Sequence, residues 1–123
     1  MRLLLVGYGR MGRLVERLAP EYGFQVVGQL DDTNNIGGVG IPSAPDADVA
    51  VEFSVPSAVA ENLPKLAARK INVVIGTTGW HEHEEEMKQI AADAGIGVVA
   101  ASNFSLGVAL FQSLAEQAAK MFA

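Results

Sequence analysis

Gly7-Tyr8-Gly9-Arg10-Met11-Gly12 follows directly on the apolar run Leu3 to Val6 and precedes a stretch with Leu14, Val15, Leu18 and Ala19 on one helical stripe. Four consecutive apolar residues suit a strand buried on both faces, as in a parallel sheet covered by helices. At such a strand-to-helix turn Gly7 permits the tight turn, Gly9 lets the backbone approach a pyrophosphate, and Gly12 lets the helix pack close to the sheet. The helix start adds free N–H groups and the positive end of its dipole. A second apolar run (Phe24, Val26, Val27, Leu30) ends in Asp31-Asp32. A carboxylate about 20 residues beyond the last glycine, at the end of the next strand, is the acceptor that a ribose diol needs. Together the two features imply a dinucleotide site. The plainer alternative is a glycine turn and a surface aspartate pair in a chain that holds 13 glycines.

The rest of the chain supplies elements that could position this turn. Strand-like runs recur at Leu3 to Val6, Gln25 to Leu30, Val49 to Phe53, Asn72 to Ile75 and Gly97 to Ala100, and helical patterns at Met11 to Tyr22, Ser57 to Arg69, Glu82 to Ala94 and Gly107 to Phe122. This alternation predicts an α/β fold, a Rossmann-like doubly wound parallel sheet of five strands with helices on both faces. Right-handed crossovers predict the order 3-2-1-4-5, with a ligand crevice at the carboxyl ends of the strands. The interval Asp32 to Asp46, rich in Asn, Gly and Pro, replaces the usual second crossover helix by a loop expected to be mobile. Pro64 is expected to kink the helix around it or to mark its restart.

Three further strand ends carry polar chemistry. After the third run comes Glu52-Phe53-Ser54-Val55-Pro56-Ser57, which places Phe53 and Ser54 at the crevice mouth and gives Ser57 as a helix cap. The alternative is a buried Phe and a turn Ser. After the fourth comes Gly76-Thr77-Thr78-Gly79-Trp80, a turn with exposed amides and small hydroxyls that could flank a flat ring. After the fifth comes Ser102-Asn103-Phe104-Ser105-Leu106-Gly107, where Asn103 offers donors and acceptors suited to a carboxamide, or else an Asx turn. His81 and His83 with Glu82 and Glu84 resemble metal ligands, but lie at a helix start where acidic residues meet the dipole; no metal site is expected, and no Ser-His-Asp set.

Composition narrows the function classes. The chain has 123 residues, half of them hydrophobic, which suits one domain (1–123) with its own core. A net charge of -5 with nine scattered basic residues argues against nucleic acid as a partner. The absence of cysteine removes disulfides, thiolate nucleophiles and cysteine-based zinc sites. The N-terminal apolar run is too short for a signal or membrane segment, so no membrane contact and a cytoplasmic location are expected.

The glycine loop with Arg10-Met11-Gly12, the Glu52-Phe53-Ser54-x-Pro56 segment, Gly76-Thr77-Thr78-Gly79 and Ser102-Asn103-Phe104-Ser105-x-Gly107-Val108, in that order, resemble the 4-hydroxy-tetrahydrodipicolinate (dihydrodipicolinate) reductase family of diaminopimelate and lysine biosynthesis. The resemblance implies hydride transfer from a nicotinamide dinucleotide to a cyclic unsaturated dicarboxylate, giving tetrahydrodipicolinate. By position, Gly7, Tyr8, Gly9, Arg10, Met11 and Gly12 would hold the pyrophosphate and Asp31 the adenosine ribose. Gly76, Thr77 and Thr78 would line the nicotinamide, with Ala101, Ser102, Asn103 and Phe104 on the same side. The family's paired-histidine and lysine motif and its Asp-Ala-Pro-Ser-Gly-Thr segment do not occur in this sequence. The chain is therefore expected to be the cofactor-binding domain alone, with no catalytic residue of its own, binding cofactor but turning over little substrate. Its last helical stretch, with Leu110, Phe111, Leu114, Ala118, Met121 and Phe122, is expected to expose apolar surface and promote self-association.

Charge bears on the choice of cofactor. Family members that accept a 2'-phosphate often carry a basic residue just after the ribose acid, where this chain has Asp32. Adjacent carboxylates should repel the phosphate, so NADH is expected to be preferred and NADPH possible, with Arg10 as a partial compensation. Competing readings are a non-enzymatic NAD-sensing module, an S-adenosylmethionine-dependent methyltransferase, which pairs a similar loop with an acidic strand end, and a fragment that binds nothing.

Overall fold

The computed structural model describes residues 1–77, 79–100 and Lys120. Within them the chain runs β1 (Arg2–Val6), α1 (Arg10–Leu18), β2 (Gln25–Leu30), β3 (Val49–Glu52), α2 (Pro56–Ala68), β4 (Asn72–Ile75), α3 (Glu84–Ala94) and β5 (Val98–Ala100). Every strand pair is parallel. The period of two along β1 divides the core between two faces. Leu3 and Leu5 point to a cluster with Val15, Ala19, Val49 and Val51, under α1. Leu4 and Val6 point to a larger cluster with Val59, Leu63, Leu66 and Met87, under α2 and α3. A Rossmann-like sheet with helices on both faces is thus the architecture.

The strand order is β2-β1-β3-β4-β5, not 3-2-1-4-5. β3 lies beside β1, with Leu3 opposite Val49 and Val6 opposite Glu52. The reason is visible in the two strands. All four residues of β3 are buried, as in a central strand, whereas Gln25 and Gln29 leave β2 exposed at an edge. No helix follows β2 to cover a further strand beyond it. Instead the segment from Asp31 to Asp48 crosses toward the far side of β1 and buries Ile41 and Ala44 in the α2 face.

That segment contains two 3-10 turns, Ile36–Gly38 and Ile41–Ser43. Arg69, at the end of α2, donates from Nη1 to the carbonyls of Ile41 (2.8 Å) and Ala44 (2.7 Å) and from Nη2 to Asp46 (2.9 Å). Because Asp46 is exposed and the two carbonyls lie deeper, the carbonyl bonds should carry the energy. Arg69→Ala is expected to cost about 2 kcal/mol and Asp46→Ala less than about 0.5 kcal/mol, measured as urea-unfolding midpoints. Equal losses would mean that the ion pair, not the carbonyl clamp, holds the segment.

Pro64 does not divide α2, which runs without interruption from Pro56 to Ala68. Val59, Leu63, Leu66 and Ala67 hold it against the sheet on both sides of the proline. The helical pattern at Met11 to Tyr22 ends sooner: α1 stops at Leu18 and tightens into a 3-10 turn over Ala19–Tyr22, which Gly23 closes with φ +81°. The expected helix at Gly107 to Phe122 lies outside the described residues, Lys120 excepted. Among the described residues no helix is long and apolar enough to cross a membrane.

Candidate functional site

In a sheet ordered 2-1-3-4-5 the connections leaving β1 and β3 run in opposite directions, which opens a crevice at the carboxyl ends of those two strands. A cavity of about 540 Å³ occupies it. This is the size range of cofactor pockets, about 300–1,000 Å³. The turn after β1 (Gly7, Tyr8, Gly9), the loop after β2 (Asp31, Asp32, Asn35, Ile36) and the turn and helix start after β3 (Phe53, Ser54, Val55) meet around it.

The glycines divide their duties as backbone geometry requires. Gly7 has φ +101°, and a Cβ there would sit 2.2 Å from the Phe53 carbonyl oxygen. A Cβ on Gly12 would sit 2.4 Å from the Gly7 carbonyl oxygen. Gly9, the residue before α1, has nothing within 4 Å of its Cβ position. The space above Gly9 therefore lies open at a helix N-terminus, the arrangement that suits a phosphate. Tyr8 is braced along α1: its hydroxyl donates to Glu16 Oε1 (2.6 Å), and Arg13 stands 4.8 Å above its ring. The bonds from Tyr8 and then Gln29 hold the Glu16 carboxyl below its usual range.

Asp31 sits where β2 ends. Its Oδ1 accepts from the Thr33 amide (2.8 Å), the Thr33 hydroxyl (2.6 Å) and the Asn34 amide (3.1 Å). These bonds, the Thr33 hydroxyl first, keep its carboxyl below the usual range, so it is an anion. All three fall on one oxygen, which leaves Oδ2 to accept from a ligand hydroxyl. Asp32 is exposed beside it.

A buried polar chain forms behind the cavity. Glu52, 1% exposed at the end of β3, accepts from the Ser54 hydroxyl and from Asn62 Nδ2 (2.9 Å). Asn62 Oδ1 in turn accepts from Asn35 Nδ2 (3.1 Å), and Asn35 Oδ1 from the Gly40 amide (2.9 Å). On the other side Thr77 Oγ1 accepts from the Ser54 amide (3.0 Å), and the Gly76 amide donates to the Glu52 carbonyl (2.9 Å). Burial pushes the Glu52 carboxyl up, against the pull of its two donors.

Of the residues singled out in the sequence, Gly7, Tyr8, Gly9, Asp31, Asp32, Phe53 and Ser54 meet at the cavity. Arg10, Met11 and Gly12 stand behind the turn: Arg10 is exposed at the first position of α1, Met11 packs toward the α1 core and Gly12 lies under Gly7. Gly76 and Thr77 act through the β3 turn rather than on the cavity wall. Thr78, Ala101, Ser102, Asn103 and Phe104 lie outside the described residues. The sequence reading missed Asn35, Glu61 and Asn62, which line the cavity, and Glu52 beneath it. A signal existed for two of them: Asn62 interrupts the apolar stripe Val59, Leu63, Leu66 of α2, and Glu52 ends an otherwise apolar run. His81 and His83 approach Glu84 (3.8 Å) and Glu86 (3.9 Å), each three positions on, away from the cavity.

The parallel sheet, the glycine turn between β1 and α1 and the crevice at the β1/β3 switch define a Rossmann-like α/β domain of the nucleotide-binding type. A family model described as dihydrodipicolinate reductase, N-terminus, matches residues 1–104, and the chain belongs to this family. Relatives named 4-hydroxy-tetrahydrodipicolinate reductase include one from Christiangramia forsetii, 36% identical over 98% of this chain and 49% of its own length. Another, from Archaeoglobus fulgidus, is 36% identical over 98% of this chain and 52% of its own. One from Stenotrophomonas maltophilia is 38% identical over all of this chain and 56% of its own. The chain thus spans about half the length of the curated relatives it matches.

Proposed function

We propose that this chain binds a nicotinamide dinucleotide in the β1/β3 cavity and is the cofactor half of a cytoplasmic reductase acting on 4-hydroxy-tetrahydrodipicolinate. The reading is carried by one juxtaposition: the open space over Gly9 at the α1 N-terminus and Asp31, whose Oδ2 is left without a hydrogen bond among the described residues, border one cavity. The pyrophosphate would lie over Gly9 and the adenosine ribose at Asp31, with the nicotinamide directed toward Ser54 and the Gly76-Thr77 turn. When bound, the dinucleotide supplies the hydride. The chain's own residues hold its phosphates, fix its ribose and set the floor of the pocket. Neither histidine lines the cavity, and the family's paired-histidine and lysine motif does not occur in this sequence, so turnover by this chain alone should be low. Self-association through the apolar residues Leu110, Phe111, Leu114, Ala118, Met121 and Phe122 is part of this proposal, with light-scattering mass as its test.

NADH is the proposed preference. Among the described residues the cavity is lined by carboxylates and by no lysine or arginine, which suits a ribose hydroxyl and opposes a 2'-phosphate. Calorimetric titration with NADH, NADPH and S-adenosylmethionine tests both steps. Binding of NADH at micromolar levels, weaker NADPH and none of the third ligand is the expected result. Asp31→Asn should weaken NADH about tenfold, the size of one hydrogen bond to a charged acceptor. Binding of S-adenosylmethionine alone would overturn the proposal.

A further inference from the structure

Asp31 and Asp32 border the cavity from the loop after β2. A third carboxylate borders it from the facing wall: Glu61, on α2. Its carboxylate lies beside the Gly37 turn: a Cβ on Gly37 would lie 3.9 Å from Glu61 Oε2. The Gly37 turn belongs to the same loop as Asp31, so Glu61 faces the ribose end rather than the glycine turn. Glu61 is exposed, and among the described residues it makes no ion pair or hydrogen bond. Lys65, one turn further along α2, leans on Gly38 instead and does not line the cavity.

A 2'-phosphate brings a charge near -2 where NADH has a neutral hydroxyl. With Asp31 and Asp32 alone, both on one loop, the phosphate could turn toward α2. A carboxylate on α2 closes that direction. We propose that Glu61 is a specificity-determining residue, the third of three carboxylates that make the ribose end of the cavity reject a 2'-phosphorylated dinucleotide. The inference rests on the nicotinamide reading above and deepens it. The interaction is electrostatic and partly solvent-exposed, so it is graded in charge and screened by salt.

The test is the ratio of NADPH to NADH dissociation constants for the 123-residue chain, its E61Q variant and its E61K variant, at low and at physiological salt. The ratio is expected to fall about fivefold in E61Q and about 20-fold in E61K, with a smaller fall at higher salt. A residue that only supported the fold would move both constants together. An unchanged ratio in both variants, with NADH still bound by the parent chain, overturns the role of Glu61 and leaves the cofactor reading intact. So does an E61Q variant that weakens NADH and NADPH alike, which would make Glu61 a contact to the shared adenosine half. If the parent chain binds neither dinucleotide, the cofactor reading itself fails, and the inference with it.

Discussion

Gly7→Ala is expected to destabilise the domain severely, whereas Gly9→Ala, two residues on, should keep its stability and lose its ligand. At Gly7 a side chain meets two penalties. The backbone sits at φ +101°, a region essentially reserved for glycine, at a cost of about 1–3 kcal/mol. The new methyl would also lie 2.2 Å from the Phe53 carbonyl oxygen. Phe53 cannot withdraw freely, because its amide donates to the Val6 carbonyl (2.8 Å) and continues the β1–β3 pairing. Overpacking against fixed backbone adds about 1–3 kcal/mol, so the loss should reach about 4 kcal/mol of a total near 5–15 kcal/mol. Gly9 has nothing within 4 Å of its Cβ position. Its alanine variant should melt within about 0.5 kcal/mol of the parent. The same methyl would occupy the space proposed for the pyrophosphate, and NADH affinity should fall at least about tenfold. Urea midpoints and NADH titration of the two variants check the pair. A stable Gly7→Ala protein would refute the steric account, and undiminished NADH binding by Gly9→Ala would remove the phosphate from the glycine turn.

What could be read from the sequence follows from which physics is local. The strands announced themselves as short apolar runs, and the β2 and β4 bounds agree with the structure residue for residue. The glycine turn was equally legible, since a positive φ and a close backbone approach are demands that only glycine meets. Strand order is not local. It depended on where the segment after β2 would bury Ile41 and Ala44, and two apolar residues in a loop rich in Asn, Gly and Pro give no period to read. The edge position of β2 was nonetheless written in Gln25 and Gln29, against the wholly buried β3. Of the residues that line the cavity, Asp31 stood out by its spacing and Glu61 did not, because an exposed glutamate on a helix resembles any solvated face until the Gly37 turn is placed beside it.

The buried polar chain behind the cavity leads to the second large effect. Glu52 is an ionisable group at 1% exposure, and burial raises its pKa. A carboxyl whose folded pKa lies above its unfolded one favours folding while protonated, and this contribution is lost as pH rises through the folded value. The carboxylates of Asp31, Asp48 and Glu16 work oppositely: bonds from Thr33, Arg2 and Tyr8 lower their pKa values, so their contributions are lost as pH falls. The parent chain should therefore lose stability on the acid side through the latter group and, from the ordinary carboxylate range upward, through Glu52. Glu52→Gln separates the two. The amide can accept from Asn62 and donate to Ser54 Oγ, whose hydroxyl is free to turn, so the geometry survives without the charge. The stability difference between E52Q and parent should grow in favour of E52Q as pH rises, and the acid-side loss should be the same in both. Asn62→Ala removes the donor to Glu52 Oε2 and the acceptor for Asn35 together. It should cost about 3 kcal/mol or more near neutral pH, and less in acid where Glu52 is protonated. Urea unfolding of the three proteins across pH decides the matter. Parallel stability curves for E52Q and parent would mean that Glu52 does not ionise in the window. A cost of Asn62→Ala that ignores pH would mean that Asn62 serves the fold by packing rather than by holding the buried carboxylate.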